Sequence, residues 1–205
     1  MFLDTKTLFP YLHNGEVYGP NDPDLFDAQR SCLKYINDFN ASPYDALDYR
    51  DELLRNMCWS IGEGCFIEAP MRSNFGCNHL ILGNNVYVNY DACFVDDTFI
   101  TIGDNTMIGP RCVIATASHP EDPELRALGY QLNKPVTIGK NVWLGANVTV
   151  CPGVTIGDNS IIGAGSVVVK DIPANVVAVG NPCKVIREVR KGESKHRAEQ
   201  INLQS

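Results

Sequence analysis

Aliphatic residues recur at every sixth position through much of the 205-residue sequence. In the C-terminal half the series is unbroken, and it occupies Ile138, Leu144, Val150, Ile156, Ile162 and Val168. The same spacing appears earlier at Ile61 and Ile67, at Leu82, Val88 and Phe94, and at Ile102, Ile108 and Ile114. An internal repeat of this kind dictates the architecture of a chain, so it constrains every other interpretation.

A period of six fits neither the roughly 3.6-residue repeat of a helix nor the two-residue alternation of a strand. It fits a short strand followed by a turn. Gly, Asn and Asp recur at the turn positions, where unusual backbone angles are needed. Three such units close a triangular coil, and stacked coils bury the aliphatic column along their common axis. The sequence therefore predicts a mainly β fold, a parallel β-helix over residues 58–187.

Residues 1–57 are expected to form a helical segment that covers one end of the β-helix, since open strand edges invite aggregation. In the first predicted helix, Asp22 is the cap and Pro23 lies in the first turn. Its apolar face comprises Leu25, Cys32, Leu33, Ile36 and Phe39. A second helix is expected to start at Ser42 and Pro43, with Leu47, Leu54 and Met57 on its apolar face.

The repeat becomes irregular near the C-terminus. Its phase breaks after Val168, and we expect it to resume at Val179 and Val185. Residues 188–205 are polar, which predicts a frayed tail or a short helix beyond the last coil.

An interruption at about residues 115–135 inserts a loop that contains Pro120, Pro123 and one of the four histidines, His119. Long loops inside compact domains are often functional, although a tolerated insertion costs little closure entropy. His119 lies where the loop leaves the predicted β-helix, held on one side by a strand. The ordinary pKa of histidine, about 6.5, suits proton abstraction at neutral pH, so His119 is a candidate general base.

The overall charge and cysteine pattern restrict the possible partners. A net charge of −7 and a pI near 5.0 argue against broad binding to nucleic acid or to anionic membranes. No apolar run reaches the roughly 18 residues that a membrane span needs. The first residues lack the features of a signal peptide, and the eight cysteines form no CxxC pair. We therefore expect a cytoplasmic protein with reduced thiols.

Several motifs between residues 15 and 190 resemble one known family. They are "GEVY" at 15–18, "TASHP" at 116–120, "ITIGDN", "KPVTIGKNVWLGANV", "CPGVTIGDNSIIGAGSVVVKDIP" and "AVGNPCKVIREV". Together they are similar to the hexapeptide-repeat sugar O-acetyltransferases, the maltose and galactoside acetyltransferases. The resemblance implies a left-handed β-helix and a homotrimer with active sites between subunits. It also implies transfer of an acetyl group from acetyl-CoA to a sugar hydroxyl, at the 6-position.

The resemblance assigns residue roles by position. His119 matches the catalytic base, and Asn89 matches the residue that stabilises the tetrahedral oxyanion. Acceptor positions correspond to Tyr87, Asp97, Asn74 and Gln131. Positions that contact CoA correspond to Ala146, Ala164, Val169, Lys170, Lys184 and Arg187. One departure concerns an acidic acceptor-binding residue shortly after "GEVY". In that register this sequence has Pro20, with Asn21 and Asp22 beside it.

Charge alone gives independent support for CoA, since cations gather near the end of an acidic chain at Lys170, Lys184, Arg187, Arg190 and Lys191. Such a cluster suits the phosphates of CoA, and a solvated tail has the same composition. Trp143 is read as a packed surface aromatic or a trimer contact, and His79 as structural.

Other functions are also open on the sequence. A zinc enzyme needs about three histidine ligands, and His13, His79 and His196 lack metal-ligand spacing with His119, so we expect no metal. Cys112 and Cys151 lie within the repeats and are read as small hydrophobes rather than nucleophiles. A non-catalytic β-helix scaffold, and an acetyltransferase for an antibiotic, serine or an amino sugar, are the remaining alternatives.

Overall fold

The computed structural model describes residues 3–190 and residue 192, and these form a triangular parallel β-helix preceded by helices. The helices are α1 (Thr5–Leu8), a 3-10 turn (Pro10–Leu12), α2 (Pro23–Ala41), α3 (Leu47–Met57) and α4 (Pro123–Ala127). Strands of the first face are β1 (Ser60–Ile61), β4 (Leu80–Leu82), β7 (Ile100–Ile102), β12 (Val136–Ile138) and β15 (Thr155–Ile156). The predicted β-helix with a helical N-terminal segment is confirmed.

The other two faces complete each coil. The second face contains β2 (Phe66–Ile67), β5 (Tyr87–Val88), β8 (Met107–Ile108), β13 (Trp143–Leu144), β16 (Ile161–Ile162), β18 (Val176–Val179) and β19 (Lys184–Glu188). The third face contains β3 (Arg72–Ser73), β6 (Cys93–Val95), β9 (Val113–Ala115), β14 (Thr149–Val150) and β17 (Val167–Val168). Between β9 and β12 the chain forms β10 (Ala117–Ser118), α4 and β11 (Leu132–Asn133) outside the coils.

The register of the strands places the hexad residues directly above one another. On the first face, Ile102 pairs with Leu82 on one side and with Ile138 on the other, and the pairing is parallel. Ile156 continues the stack beyond Ile138. From Ile67 to Val168 the hexad side chains are at most 3% exposed, so the column forms one continuous apolar core. This burial of apolar surface is the main term that stabilises the fold.

Asparagines occupy the corner between the first and second faces because the chain turns there with positive φ. Five of them have φ between 53° and 62°: Asn85, Asn105, Asn141, Asn159 and Asn175. Asparagine tolerates this left-handed region better than most residues. The side-chain amide of Asn141 donates to Oδ1 of Asn159 at 2.9 Å, and that of Asn159 donates to Asn175 at 3.1 Å. The turns are thus linked from coil to coil.

Helix α2 matches the prediction closely. The Asp22 carboxylate accepts from the backbone N–H groups of Asp24 and Leu25, and Pro23 is the first helical residue. Cys32, Ile36 and Phe39 are buried, while Leu25 and Leu33 are half-buried. Gly76 lies against this helix with a φ of +57°, and an added Cβ there would collide with the carbonyl oxygen of Cys32. In the described residues, no helix has the length and apolar character to cross a membrane.

The expected start of the second helix was wrong. Helix α3 begins at Leu47, and its cap position is Ala46, without a side-chain cap. Ser42 instead ends α2, since both its backbone N–H and its Oγ donate to the carbonyl of Phe39. Leu47 is 55% exposed, so it does not belong to the apolar face. Leu53, Leu54 and Met57 form that face, because each is buried against the β-helix.

The expected resumption of the repeat at Val179 and Val185 was also wrong. The inward positions are Ile172 and Ala178, which are six residues apart and both buried. A turn shortened by two residues after Val168 shifts the phase. Val185 is exposed because β19 turns back antiparallel along β18 at the end of the helix. Most of the predicted tail, residues 193–205, lies outside the described residues, although Glu188 still belongs to β19.

Ile156 and its neighbour Thr155 allow a matched test of the core. Ile156→Ala removes a fully buried side chain from the column, and Thr155→Ala changes an exposed side chain on the same strand. We expect Ile156→Ala to lower the free energy of unfolding by about 2 to 5 kcal/mol and Thr155→Ala by less than about 1 kcal/mol. Denaturant unfolding measures both. Equal losses would show that the column is not the dominant core.

Candidate functional site

His119 lies near the point where the insertion leaves the β-helix, and hydrogen bonds fix the chain there. The backbone N–H of Thr116 donates to the carbonyl of Val95 at 3.0 Å, and its Oγ accepts from the Thr98 N–H at 3.0 Å. Strand β10 then pairs antiparallel with β11, and His119 follows β10 with an exposed side chain. The insertion is therefore structured on both sides of the histidine, rather than a structureless loop.

One hydrogen bond orients the imidazole of His119. Its Nδ1 lies 2.8 Å from the carbonyl oxygen of Tyr130, and since a carbonyl can only accept, Nδ1 carries the proton and donates. In the neutral ring the lone pair is then on Nε2, which faces away from this bond. This is the arrangement that a general base needs: one nitrogen held by the protein and the other available to take a proton.

Another predicted residue, Asp97, lies near His119, and it is hydrogen-bonded to the predicted residue Asn74. Asp97 follows β6 and is only 6% exposed, and its Oδ2 accepts from the side-chain amide of Asn74 at 2.9 Å. Burial raises the pKa of Asp97, while the hydrogen bond from Asn74, and more weakly the charge of His119 when its ring is protonated, act in the opposite direction. Strands β3 and β6 are paired in register, which brings the two residues together.

Gln131 joins this group through a residue that sequence reasoning did not select. The Tyr18 hydroxyl donates to Oε1 of Gln131 at 2.9 Å, and the two backbones form an antiparallel bridge. Asn133 donates to the Tyr18 hydroxyl at 3.2 Å and to the carbonyl of Asp97 at 3.3 Å. The "GEVY" motif carried a signal for Tyr18, whereas no pattern in the sequence pointed to Asn133. We call His119, Asp97, Asn74, Gln131 and Tyr18 the histidine cluster.

A buried carboxyl group underlies the histidine cluster. Asp96 is fully buried, and its Oδ1 accepts from the Ser73 hydroxyl at 2.6 Å and from the Phe75 N–H at 2.9 Å. Its Oδ2 has no hydrogen-bond partner among the described residues. Burial raises the pKa of Asp96 to about 7, although the hydrogen bonds from Phe75 and Ser73 oppose the shift. His79, also buried, donates from Nδ1 to the carbonyl of Asp96, which agrees with a structural role.

A predicted acceptor residue, the predicted oxyanion donor and a predicted CoA residue lie together along the second face. Tyr87, Asn89 and Ala146 line a groove of about 330 Å³ together with Met107 and Trp143. Oδ1 of Asn89 accepts from the N–H of Tyr90 at 2.9 Å, which directs the Nδ2 donor away from that backbone. Trp143 is 51% exposed and Met107 48% exposed, so the groove has apolar walls open to the outside. We call it the outer groove.

The predicted CoA residues continue from the outer groove toward the C-terminal end. Ala164 is exposed and lies one coil beyond Ala146, whose carbonyl accepts from the Gly165 N–H at 2.8 Å. Val169, Lys170, Lys184 and Arg187 are all exposed at the end of the β-helix. Lys191 lies outside the described residues, as does His196. A surface of small residues thus leads to a group of cations.

The predicted site residues therefore fall into two groups within one chain. The histidine cluster lies where the third face gives way to the insertion. The outer groove lies on the second face, and its residues take no part in the hydrogen bonds of the histidine cluster described above. His119 and Asn89 are the predicted base and the predicted oxyanion donor, and they belong to different groups.

The described residues contain no group of three or more His, Cys, Asp or Glu side chains that is able to hold a metal ion. Burial raises the pKa of the thiols of Cys112 and Cys151. A thiol with a raised pKa remains protonated and is a poor nucleophile. Cys112 is also occupied as a weak donor to the carbonyl of Gly145 at 3.2 Å. These features agree with the packing role expected for both cysteines.

Models of three sequence families match parts of the chain. A maltose acetyltransferase hexapeptide capping motif matches residues 12–62. A bacterial transferase hexapeptide, of six repeats, matches residues 135–170, and a hexapeptide repeat of succinyl-transferase matches residues 99–117. The capping motif spans α2 and α3, which cover the first coil.

Known relatives match this chain over most of their length. The galactoside O-acetyltransferase of Lactococcus lactis is 47% identical over 184 residues, which cover 90% of this chain and 89% of the relative. A galactoside acetyltransferase solved with coenzyme A has a TM-score of 0.84 at 40% identity, covering 88% of this chain and 90% of its own. A maltose O-acetyltransferase from Clostridium difficile has a TM-score of 0.84 at 43% identity, covering 88% and 96%.

The buried Asp96 predicts a specific dependence of stability on pH. Its pKa is about 7 when folded and 3.8 in its ordinary state, so between these values the folded chain holds a proton that the unfolded chain has lost. The contribution of Asp96 to stability therefore decreases as the pH rises from about 4 to about 7. Asn at this position cannot ionise. We therefore compare the free energy of unfolding of Asp96→Asn with that of wild type. As the pH rises from about 4 to about 7, we expect the difference between them to shift by about 3 kcal/mol in favour of Asp96→Asn.

Denaturant unfolding of both proteins at several pH values measures this difference. Burial lowers the pKa values of His13 and His79 to about 4. The contribution of these histidines to stability is therefore lost as the pH falls, whereas that of Asp96 is lost as the pH rises. Both histidines are present in both proteins, and their contribution cancels in the difference. A difference that stays constant from pH 4 to 8 would contradict the raised pKa of Asp96.

Proposed function

The chain belongs to the hexapeptide-repeat acyltransferases that include the maltose and galactoside O-acetyltransferases, and we propose that it acetylates a sugar hydroxyl from acetyl-CoA with His119 as the general base. The observation that carries this proposal is the hydrogen bond from Nδ1 of His119 to the Tyr130 carbonyl at 2.8 Å. It leaves Nε2 as an acceptor at the exposed edge of a rigid insertion.

The proposed reaction needs no covalent enzyme intermediate, because the thioester is already activated. Nε2 of His119 takes the proton of the acceptor hydroxyl as its oxygen attacks the acetyl carbonyl carbon. The carbonyl oxygen becomes an oxyanion, to which the side-chain amide of Asn89 donates. When the tetrahedral intermediate collapses, the carbon–sulfur bond breaks. The imidazolium returns its proton to the sulfur of CoA, and the acetyl ester is released.

The acceptor is proposed to bind through Asp97, Asn74 and Gln131, with Tyr87 on the facing wall. Asp97 has an acceptor oxygen held in place by Asn74, which suits a sugar hydroxyl as a donor. Gln131 is held by Tyr18, and burial raises the pKa of that phenol to about 12, so it remains a donor. The 6-hydroxyl is the proposed acceptor atom because it is primary and the least hindered hydroxyl of a hexose.

CoA is proposed to lie along the second face. Ala146 and Ala164 present small side chains on successive coils, over which a pantetheine arm can lie close to the backbone. Val169, Lys170, Lys184 and Arg187 follow at the C-terminal end, where the three cations suit the phosphates of CoA. The solved relatives include a galactoside acetyltransferase in complex with coenzyme A.

The two groups of site residues support a homotrimer with active sites between subunits. The exposed Met107 and Trp143 lie side by side on paired strands and form an apolar stripe beside Asn89. We propose that a second subunit covers this stripe and brings its own His119 to the outer groove. We also propose a cytoplasmic location, where acetyl-CoA is available and the free cysteines remain reduced.

The role of His119 is tested by His119→Ala, with Glu121→Ala as a control in the same exposed part of the insertion. Thiol release from acetyl-CoA in the presence of galactosides or maltose measures turnover. We expect His119→Ala to reduce kcat by roughly 10² to 10⁴, the usual contribution of a general base. Glu121→Ala should retain turnover within about twofold. Equal turnover in wild type and His119→Ala would refute the proposed base.

Subunit mixing tests whether His119 and Asn89 act across an interface. His119→Ala and Asn89→Ala proteins are each expected to be nearly inactive. In mixed trimers, some interfaces combine the intact Asn89 of one subunit with the intact His119 of its neighbour. Random mixing in equal amounts gives such a pair at about a quarter of the sites, so activity should recover to roughly a quarter of wild type. No recovery, with mixed trimers shown by mass spectrometry, would place both residues in one subunit.

A further inference from the structure

Asp96 is a fully buried carboxyl group to which the proposed reaction gives no role. Its Oδ2 has no hydrogen-bond partner among the described residues. Burial raises the pKa of Asp96 to about 7, and the charge of Asp97 adds to this shift. Burying such a group costs stability, whereas groups with strongly shifted pKa values are concentrated at functional sites. The contacts of Asp96 give a functional reason for its presence.

The pairing of β3 with β6 ends close to Asn74, one of the proposed acceptor residues. Ser73 is the last residue of β3 and is paired with Phe94. The next backbone bond runs from the Asn74 N–H to the Phe94 carbonyl at 3.1 Å. Beyond it the chain turns with positive φ at Gly76 and Cys77. Strand pairing therefore holds the chain up to Asn74, and a different contact must hold it on the far side.

One oxygen of Asp96 provides that contact. Its Oδ1 accepts from the Ser73 hydroxyl at 2.6 Å and from the Phe75 N–H at 2.9 Å. These two donors belong to the residues immediately before and after Asn74, so a single carboxyl oxygen fixes the chain on both sides of it. The Oγ of Ser73 in turn accepts from the Cys77 N–H at 2.7 Å, which holds the turn that follows.

The backbone of Asp96 is joined directly to Asp97, the hydrogen-bond partner of Asn74. Oδ2 of Asp97 accepts from the Asn74 amide at 2.9 Å. Other contacts hold the backbone of this segment. The Asp96 carbonyl accepts from Nδ1 of His79, and the Asp97 carbonyl accepts from Asn133 at 3.3 Å. Asp97 therefore has a fixed place, and the side chain of Asp96 holds the Asn74 segment against it.

We propose that Asp96 is a positioning residue for the sugar acceptor: its carboxyl group holds Asn74 against Asp97, and this pair then binds the sugar hydroxyls. This inference rests on the proposed function, in which Asn74 and Asp97 belong to the acceptor site. It assigns part of the affinity for the sugar to a buried residue that touches no substrate. Loss of the Asp96 contact displaces the Asn74 amide, so it weakens sugar binding and leaves the binding of CoA, along the second face, unchanged.

Ser73→Ala removes one hydroxyl from this contact, and Ser160→Ala is the matched control. The Ser160 hydroxyl likewise donates to one oxygen, the Pro173 carbonyl at 2.8 Å, and accepts from one backbone N–H, that of Val176 at 3.3 Å. Ser160 is buried in the coils and takes no part in the hydrogen bonds of the histidine cluster described above.

Acetyl transfer to maltose and to galactosides gives kcat, KM for the sugar and KM for acetyl-CoA. We expect Ser73→Ala to raise KM for the sugar roughly tenfold, because the Asn74 segment loses one of its two bonds to Asp96. Its kcat and its KM for acetyl-CoA should stay within about twofold of wild type. Ser160→Ala should leave all of these values within about twofold of wild type.

Substitutions of Asp96 itself provide a conservative comparison. Asp96→Asn keeps an acceptor oxygen in the place of Oδ1, so KM for the sugar should stay within about threefold of wild type. Asp96→Leu has a similar size and no acceptor, so it should raise that KM by more than about tenfold. If Asp96→Leu does not fold, Ser73→Ala and Asp96→Asn decide the question.

Equal changes of KM for the sugar in Ser73→Ala and Ser160→Ala would overturn the positioning role. A loss of kcat in Ser73→Ala without a change of that KM, or a rise of that KM by more than about tenfold in Asp96→Asn, would also overturn it. Acetyl transfer by wild type would stand in each case. If wild type transfers no acetyl group, calorimetric titration with the same sugars replaces the kinetics. Weaker binding to Ser73→Ala than to Ser160→Ala would then support the positioning role and overturn the proposed function. Absence of sugar binding to wild type would overturn both.

Discussion

The stacking of hexad side chains along one axis is the constraint on which the rest of the structure depends. Each inward residue contacts the equivalent residue of the coil above and below, as Ile102 does between Leu82 and Ile138. Parallel pairing in this register satisfies the backbone hydrogen bonds and buries the apolar side chains by the same geometry. A substitution in the column therefore changes the packing of both neighbouring coils.

The coils give the insertion a fixed support. The insertion leaves and re-enters at adjacent coils, so its two ends are close together and its base can be fixed by Thr116. The N-terminal segment then pairs with it through Tyr18 and Gln131. His119 and Asp97 are consequently held by three different parts of the chain. Such support fixes the position of both side chains, as the proposed role of His119 requires.

Buried polar groups below the site connect the helical segment to the coils. The hydroxyl oxygen of Thr5 lies 2.6 Å from Nε2 of His79, and Nδ1 of His79 donates to the backbone carbonyl of Asp96. The carboxyl group of Asp96 in turn accepts from the Ser73 hydroxyl. A network of this kind is stabilising only when its members find partners, and one oxygen of Asp96 has none among the described residues. Burying this carboxyl group costs less free energy while it is protonated and uncharged, which is why burial raises its pKa to about 7.

The sequence by itself determined the β-helix, the capped helix α2, the family and the position of His119. These follow from local patterns: a six-residue period, a cap followed by proline, and a histidine beside a break in the repeat. Three features became clear only from the tertiary structure: where α3 begins, where the repeat resumes after Val168, and which residues surround His119. Tyr18, Asn133 and Tyr130 meet there although more than one hundred residues separate the first from the others. Such contacts depend on the register of distant segments, which no local pattern in the chain encodes.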